Sequence, residues 1–290
     1  MMLKMKKIKK RLFTLLTILM VISGLLIYAF LFAPNSLRVR YETIVSDKVP
    51  ESLDNFTILV FSDLHYNHYT TKAQLENLVK TINEIGPNVV IFLGDLYDHP
   101  THYPVTPEVQ KELGDLLGDI DAKYGKFAIL GNHDYESPSS TELVIQTLTY
   151  ANFEIIVNGN QRLYFGGENY LELIAIDSMI LGNPDISRSF KGISSNTFNI
   201  VIMHCPDTYL ELDENLVDLV FAGHSHGGQI KIPLLDNYLR PKGAETYFTG
   251  KYLSDNGTLM DITNGVGTTN INARFNAPAE IVVYRIISGN

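Results

Sequence analysis

The spacing of apolar residues changes along this chain, and the changes mark its elements. Residues 56–61 (Phe-Thr-Ile-Leu-Val-Phe) are a short β-rich run of the kind that becomes a buried strand. Leu75, Leu78, Val79, Ile82 and Ile85 then recur at helical spacing until Gly86-Pro87 stops the helix. Residues 88–93 predict a second buried strand, 108–117 a helix, 127–130 a third strand and 141–150 another helix. That βαβαβα order predicts a parallel sheet flanked by helices. Farther on, 154–157, 162–165 and 170–176 read as short strands joined by Gly- and Asn-rich turns. Residues 198–203 and 217–222 read as buried strands, and 230–232, 245–248, 258–261 and 281–286 as a β-rich end. Asn158-Gly159, Asn264-Gly265 and Gly265-Val266-Gly267 read as turns, since nothing around them has the strand–helix context of a nucleotide loop.

Ahead of this pattern lies another. Residues 12–33 carry no charge, and about 20 apolar residues are enough to cross the hydrocarbon core of a bilayer. A transmembrane helix is therefore expected. A retained anchor is favoured over a cleaved signal, because Tyr28, Phe30 and Phe32 stand where small residues would precede a cut and Pro34 follows Ala33. Lys4, Lys6, Lys7, Lys9, Lys10 and Arg11 precede the span, against Arg38 and Arg40 just after it. That bias predicts a single-pass protein of the cell membrane, its N-terminus cytoplasmic and the rest outside. The chain then divides into a basic N-terminus and anchor (1–34), an extended linker (35–54) and one domain (55–290).

Composition narrows the classes. With 45% hydrophobic and 19% charged residues the chain is a folded one. Its net charge is −9, and without the basic N-terminus the remainder is more acidic still, which argues against nucleic acid as the main partner. Cys205 is the only cysteine, so no intrachain disulfide exists, and it reads as a small buried hydrophobe.

The candidate chemistry lies where five predicted strands end. Phe61 leads into Ser62-Asp63-Leu64-His65, Leu93 into Gly94-Asp95-Leu96-Tyr97-Asp98, and Leu130 into Gly131-Asn132-His133-Asp134. Met203 leads into His204, and Ala222 into Gly223-His224-Ser225-His226. In open α/β sheets ligands bind at that edge, and a mixed Asp, His and Asn set suits manganese, iron or zinc. Any one pair could be a helix cap or a core histidine; five at equivalent strand ends are not. The ordered set D-x-H, G-D-x-x-D, G-N-H-D, H and G-H-x-H resembles the calcineurin-like metallophosphoesterases, over about residues 56–232. The anchor and the Gly227-Gly228-Gln229-Ile230 tail are similar to a membrane- or envelope-associated bacterial branch.

The resemblance implies an α/β fold, a four-layer sandwich of two mixed β-sheets flanked by helices, here preceded by one transmembrane helix. It implies two divalent metal ions (manganese, zinc or iron), one on Asp63, His65, Asp95 and His226, the other on Asp95, Asn132, His204 and His224. His133 would face the leaving oxygen as general acid with Asp98 orienting it; the competing role for Asp98 is to support a metal-bound histidine. Asp134 reads as a turn or cap residue. The family's protein phosphatases carry Arg directly after G-D-x-x-D, where this chain has His99 and then Pro100, so a protein substrate is disfavoured. His99 and His68 are candidate substrate contacts, with His102, Tyr103 and Tyr69 beside them, and solvated loop residues are the alternative. The implied activity is hydrolysis of a phosphate monoester, diester or pyrophosphate by a metal-bound hydroxide. The substrate would be a phosphorylated small molecule or lipid, and an exported location points to a lipid-linked or envelope phosphate. The other class is a non-enzymatic metal-bound scaffold. Loss of His133 or of a ligand would mark it, and all are present.

Overall fold

The computed structural model describes residues 2–165, 167–232 and 240–289. Helix α1 (Met2–Ile27) continues through a π-helical turn (Tyr28–Phe32) and a 3-10 turn (Ala33–Asn35) into β1 (Leu37–Ser46). The order is then β2 (Phe56–Phe61), α2 (Lys72–Ile85), β3 (Val89–Phe92), α3 (Pro107–Gly118), β4 (Lys126–Ala128), α4 (Pro138–Tyr150), β5 (Phe153–Ile155), β6 (Gly159–Tyr164) and β7 (Tyr170–Ala175). Next come α5 (Ile186–Ser189), β8 (Asn199–Ile202), β9 (Leu219–Ala222), β10 (Gly250–Leu253), β11 (Leu259–Ile262) and β12 (Ala279–Ser288). The helices start where their sequences say they should. Thr71 and Gln74 form a reciprocal capping box on α2, and Thr106-Pro107 and Ser137-Pro138 open α3 and α4.

The strands form two six-stranded mixed sheets, ordered β1-β12-β2-β3-β4-β5 and β10-β11-β9-β8-β7-β6. Alternation along the strands divides the core. Ile58, Val60, Val89 and Ile91 meet Leu171, Leu173, Ile200, Ile202 and Phe221 between the sheets. Leu59, Phe61, Val90 and Phe92 face outward onto Leu75, Leu78, Leu113, Leu117 and Leu148 of α2, α3 and α4. The opposite flank is thinner. Ile174, Val201, Val220 and Met260 are covered there by Tyr209, Val217 and, around the single-turn α5, Ile186 and Phe190. Since β2, β3 and β4 run parallel, as do β7, β8, β9 and β11, the C-terminal ends of the motif strands gather at one edge.

Three expectations need correction. The expected linker (35–54) contains β1, which pairs in parallel with β12 through ten positions from Leu37↔Ala279 to Ser46↔Ser288. Residues 245–248 are not a strand: the amides of Glu245, Thr246 and Tyr247 donate to the Asp207 carboxylate, which leaves no ladder for them to join. Residues 230–232 make only one bridge, Ile230↔Phe275.

Candidate metal centre

Hydrogen bonds that continue past the strand ends place the motif loops. Asp63 N–H donates to Gly94 O (2.9 Å) and His65 N–H to Asp95 O (3.1 Å). The Asp134 carboxylate accepts from the amides of Asp95, Leu96 and Gly131 at 2.8–2.9 Å, pinning the loop after β3 to the loop after β4. That is the turn role expected of Asp134. Asp63, His65, Asp95, His224 and His226 all have positive φ, from 44° to 69°. Side chains rarely adopt that region, and strain of this kind gathers at functional sites. Gly131 shows how close the loops approach, because a Cβ there would collide with Asp95 Oδ1 and Asp95 N.

Among the described residues, donors gather as Asp63, His65 and His226 and as Asp95, His204 and His224, while His133 lies close both to His65 and Asp95 and to His99 and Glu136. His65 Nε2 is 3.0 Å from His226 Nε2, and His226 Nε2 is 3.6 Å from Asp63 Oδ1. His204 Nε2 is 3.1 Å from Asp95 Oδ2 and 3.2 Å from Asn132 Oδ1. Asp95 Oδ2 also lies 3.7 Å from His65 Nε2, so Asp95 stands between the clusters. Donors about 2.1 Å from one cation stand about 3.0–3.4 Å apart at octahedral to tetrahedral angles. The His65–His226, His204–Asp95 and His204–Asn132 spacings meet that requirement, and the His226–Asp63 and His65–Asp95 spacings of 3.6 and 3.7 Å are a few tenths of an ångström wider.

The ring hydrogen bonds fit it as well. His204 Nδ1 lies 2.7 Å from Leu93 O and His224 Nε2 lies 2.8 Å from Lys242 O. Each nitrogen must donate to its carbonyl, which turns the lone pair of the other into the cluster. Burial pushes His226 down to about 3, so its imidazole is neutral and able to bind a cation. Burial would lower His204 too, but Asp95 outweighs it and holds His204 at about 9. A proton shared by such a pair and a divalent cation bound by it are alternatives. The carboxyls of Asp63 and Asp95 are lowered despite burial, chiefly by His226 for the first and His204 for the second.

The other candidate residues separate. The structure does not bring Asp98 to His133. Asp98 Oδ1 is 3.3 Å from His65 Nδ1, out of line for a full hydrogen bond, and accepts from Thr269 Oγ1 at 2.8 Å. The reason is that Asp98 N–H pairs with Tyr66 O beside the His65 loop, which turns its side chain that way. Burial would raise the Asp98 carboxyl, but His65 and Thr269 bring it below its ordinary value. His133 Nδ1 instead pairs with Glu136 Oε1 at 2.8 Å, and His99 Nδ1 pairs with the same oxygen at 2.6 Å. His133 Nε2 is 3.9 Å from Asp95 Oδ2. Burial opposes the charge on His133, yet Asp95 and Glu136 raise it to about 9. Glu136 was missed by sequence reasoning, although its i, i+3 spacing from His133 could have shown it. His68 is exposed and stacks on Tyr103, centroids 3.7 Å apart and planes within 9°. Cys205 is buried and its thiol pushed up to about 12 by desolvation. A cleft of about 510 Å³ opens over Asp95, His133, His224 and His226 and is walled by Gln229, Ile230, Thr269 and Ile271.

Comparison with known proteins agrees with this edge. Residues 56–228 match the family model for the calcineurin-like phosphoesterases. The uncharacterized metallophosphoesterase YkuE of Bacillus subtilis is 32% identical over 91% of this chain and 90% of its own. The UDP-2,3-diacylglucosamine pyrophosphatase LpxG of Chlamydia trachomatis is 24% identical over 88% of this chain and 90% of its own. A transmembrane protein with a metallophosphoesterase domain from Danio rerio is 25% identical over 91% of this chain but only 60% of its own. With the family model matched over residues 56–228 and a metallophosphoesterase relative 32% identical over 91% of the chain, beside both sheets and the five strand-end motifs, the chain belongs to the calcineurin-like phosphoesterase family, hydrolases of phosphoester bonds.

Proposed function

We propose that this protein is a membrane-anchored phosphoesterase that cleaves a phosphate diester, monoester or pyrophosphate on a lipid-linked or other envelope substrate. Residues 1–34 are its anchor, and the rest, β1 included, is its catalytic part. The observation that carries the reading is the convergence, around Asp95 at the end of β3, of donors from the ends of four other strands. Asp63, His65, Asp95 and His226 would hold one divalent ion, and Asp95, Asn132, His204 and His224 a second. Bound there, the pair would acidify water and draw charge from the phosphoryl oxygens.

The remaining steps fall to the chain's own side chains. His133 sits beside the cleft, held by Glu136 through Nδ1, with Nε2 free to give a proton to the departing oxygen. Asp98 steadies His65, and Asp134 fixes the loops from which Asp95 and Asn132 project. The lipid-linked substrate is favoured by α1 and the turn after it, whose large apolar side chains from Leu12 to Phe32 are exposed, an arrangement that suits lipid and not water. LpxG, which is named for a lipid diphosphate, is similar over most of its length.

The test is Asp95→Ala in the full-length protein, purified in detergent. It should lose both metal equivalents by elemental analysis and all hydrolysis of bis-p-nitrophenyl phosphate, whereas His226→Ala should retain part of its metal. Two equivalents still bound to the Asp95 variant would refute the shared-ligand assignment.

A further inference from the structure

We propose that the cleft takes its substrate directly from the bilayer that holds α1: a phosphorylated amphiphile whose chains stay in the membrane while its phosphate enters the site. This rests on the reading of the protein as a membrane-anchored phosphoesterase and adds the physical state of the substrate. The anchor does not hang on a tether. Ala29, Ala33 and Pro34, at the end of the apolar run, are the first residues of that run buried in the domain. Ala29 O accepts from Arg274 N–H at 2.9 Å, and Pro34 O from Gln74 Nε2 at 2.9 Å. β1 begins at Leu37, so no slack separates the helix from the sheet. Residues 12–33 rise about 33 Å as a helix, close to the thickness of the hydrocarbon core. The docked segment from Ala29 to Pro34 therefore lies at the outer end of the span, where the hydrocarbon core meets the membrane surface.

Two walls of the cleft start from that docking point. Ile271 is three residues from Arg274, which limits their separation to about 10 Å. On the other wall, Ile230 bridges to Phe275, next to Arg274; Lys231 N–H donates to Phe275 O at 2.8 Å and Phe275 N–H to Gln229 O at 2.9 Å. Arg274 itself is fully buried and donates to the carbonyls of Asn264, Gly265, Gly267 and Ala277. Gly265 in turn lies against Asp63. The segment that grips the helix end is thus the one that shapes the site. Ile271 and Ile232 remain 40% and 41% exposed on this side. In water such residues beside a phosphate site are a cost, whereas at a bilayer surface they seat the mouth of the cleft among acyl chains.

The reaction is hydrolysis. Water gives OH to phosphorus and, in net, H to the leaving oxygen, and the phosphorus–oxygen bond between them breaks. The water-soluble half leaves and the chain-bearing half remains in the membrane.

The test uses full-length protein in lipid nanodiscs. Phosphatidic acid, phosphatidylglycerol and CDP-dioleoylglycerol are placed either in the enzyme's own disc or in separate vesicles, with bis-p-nitrophenyl phosphate as the soluble substrate. At least one lipid should be cleaved about tenfold or more faster from the same disc. Ten Gly-Ser residues inserted between Asn35 and Ser36, which leave only the Ala29 and Pro34 contacts to hold the domain, should weaken that preference, and Ile232→Glu should reduce it, both leaving the soluble rate unchanged. If the insertion impairs folding, the soluble rate falls with it and Ile232→Glu decides. Equal cleavage from both membranes, an unchanged preference in Ile232→Glu, or cleavage of the soluble diester with none of the lipids would overturn the inference. Failure on every substrate, soluble diester included, would refute the phosphoesterase reading instead.

Discussion

His133 and Glu136 are best separated from the metal cluster by a change that spares every donor. In Glu136→Gln the side chain keeps its size and loses its charge, so metal content should stay at the wild-type level. Turnover should fall about 10–100-fold, the usual cost of losing a group that orients a working histidine. His133→Asn should cost more, about 10²–10⁴. Both losses should be severe for an alkyl phosphate, whose leaving oxygen needs a proton, and mild for nitrophenolate. Glu136 helps raise the His133 pKa, so its neutralisation should lower that pKa. The proton would then be lost at lower pH, and the alkaline limb of kcat/KM should move to lower pH. Equal losses on both leaving groups with an unmoved limb would remove Glu136 from this role. Asp98→Asn, whose side chain meets His65, should differ by lowering metal affinity. The motif residues themselves were legible because each follows a β-rich run. The partner of His133 was not: Asp98, 35 residues away, is the one the resemblance implies, while Glu136, three residues on, is brought round only by the turn at residues 133–135.

Between elements, the two sheets are joined at one end by charge. Arg40 of β1 forks onto Asp261 of β11 at 2.7 and 2.8 Å and reaches Glu280 of β12 at 3.3 Å and Glu42 at 3.1 Å. Tyr284 of β12 donates to the same Asp261 at 2.6 Å. Removing the cation leaves two nearly buried carboxylates facing each other, and breaking such a network costs about 3–5 kcal/mol. For a domain of this size Arg40→Ala should therefore lower the melting temperature in detergent by roughly 10 °C. A shift of less than a few degrees would show the network to be dispensable. Here sequence reading fell short. Arg38, Arg40 and Glu42 alternate with Val39, Tyr41 and Thr43, a pattern too polar for a core strand, and so β1 reads as linker. Its place in the sheet depends on β12, more than 230 residues away, which no local pattern reveals. The central strands were readable because both faces are covered and every residue is apolar, as in Val89–Phe92.

At the scale of the whole molecule, the proposed anchor puts the site on one side of a membrane, and the chain is suited to a direct test of which side. Its one thiol, Cys205, is fully buried and pushed up to about 12, so it should stay silent to a maleimide in the folded protein. A cysteine placed at Asp255, exposed on the turn between β10 and β11, should then report the position of the domain alone. One placed at Met5, exposed ahead of the apolar span, should report the other end without removing any of the basic residues that set the orientation. With a membrane-impermeant maleimide on protoplasts or spheroplasts, Asp255→Cys should label at once and Met5→Cys only after permeabilisation. The expectation follows from the six basic residues before the span, because short flanking segments rich in Lys and Arg stay in the cytoplasm. The reverse pattern would place the cleft at the cytoplasmic face, and its lipid would then be drawn from the inner leaflet. Fractionation should find both variants in the membrane; soluble, labelled domain lacking the helix would mean that the apolar segment is a cleaved signal, and that Ala29 no longer holds Arg274 in the mature protein.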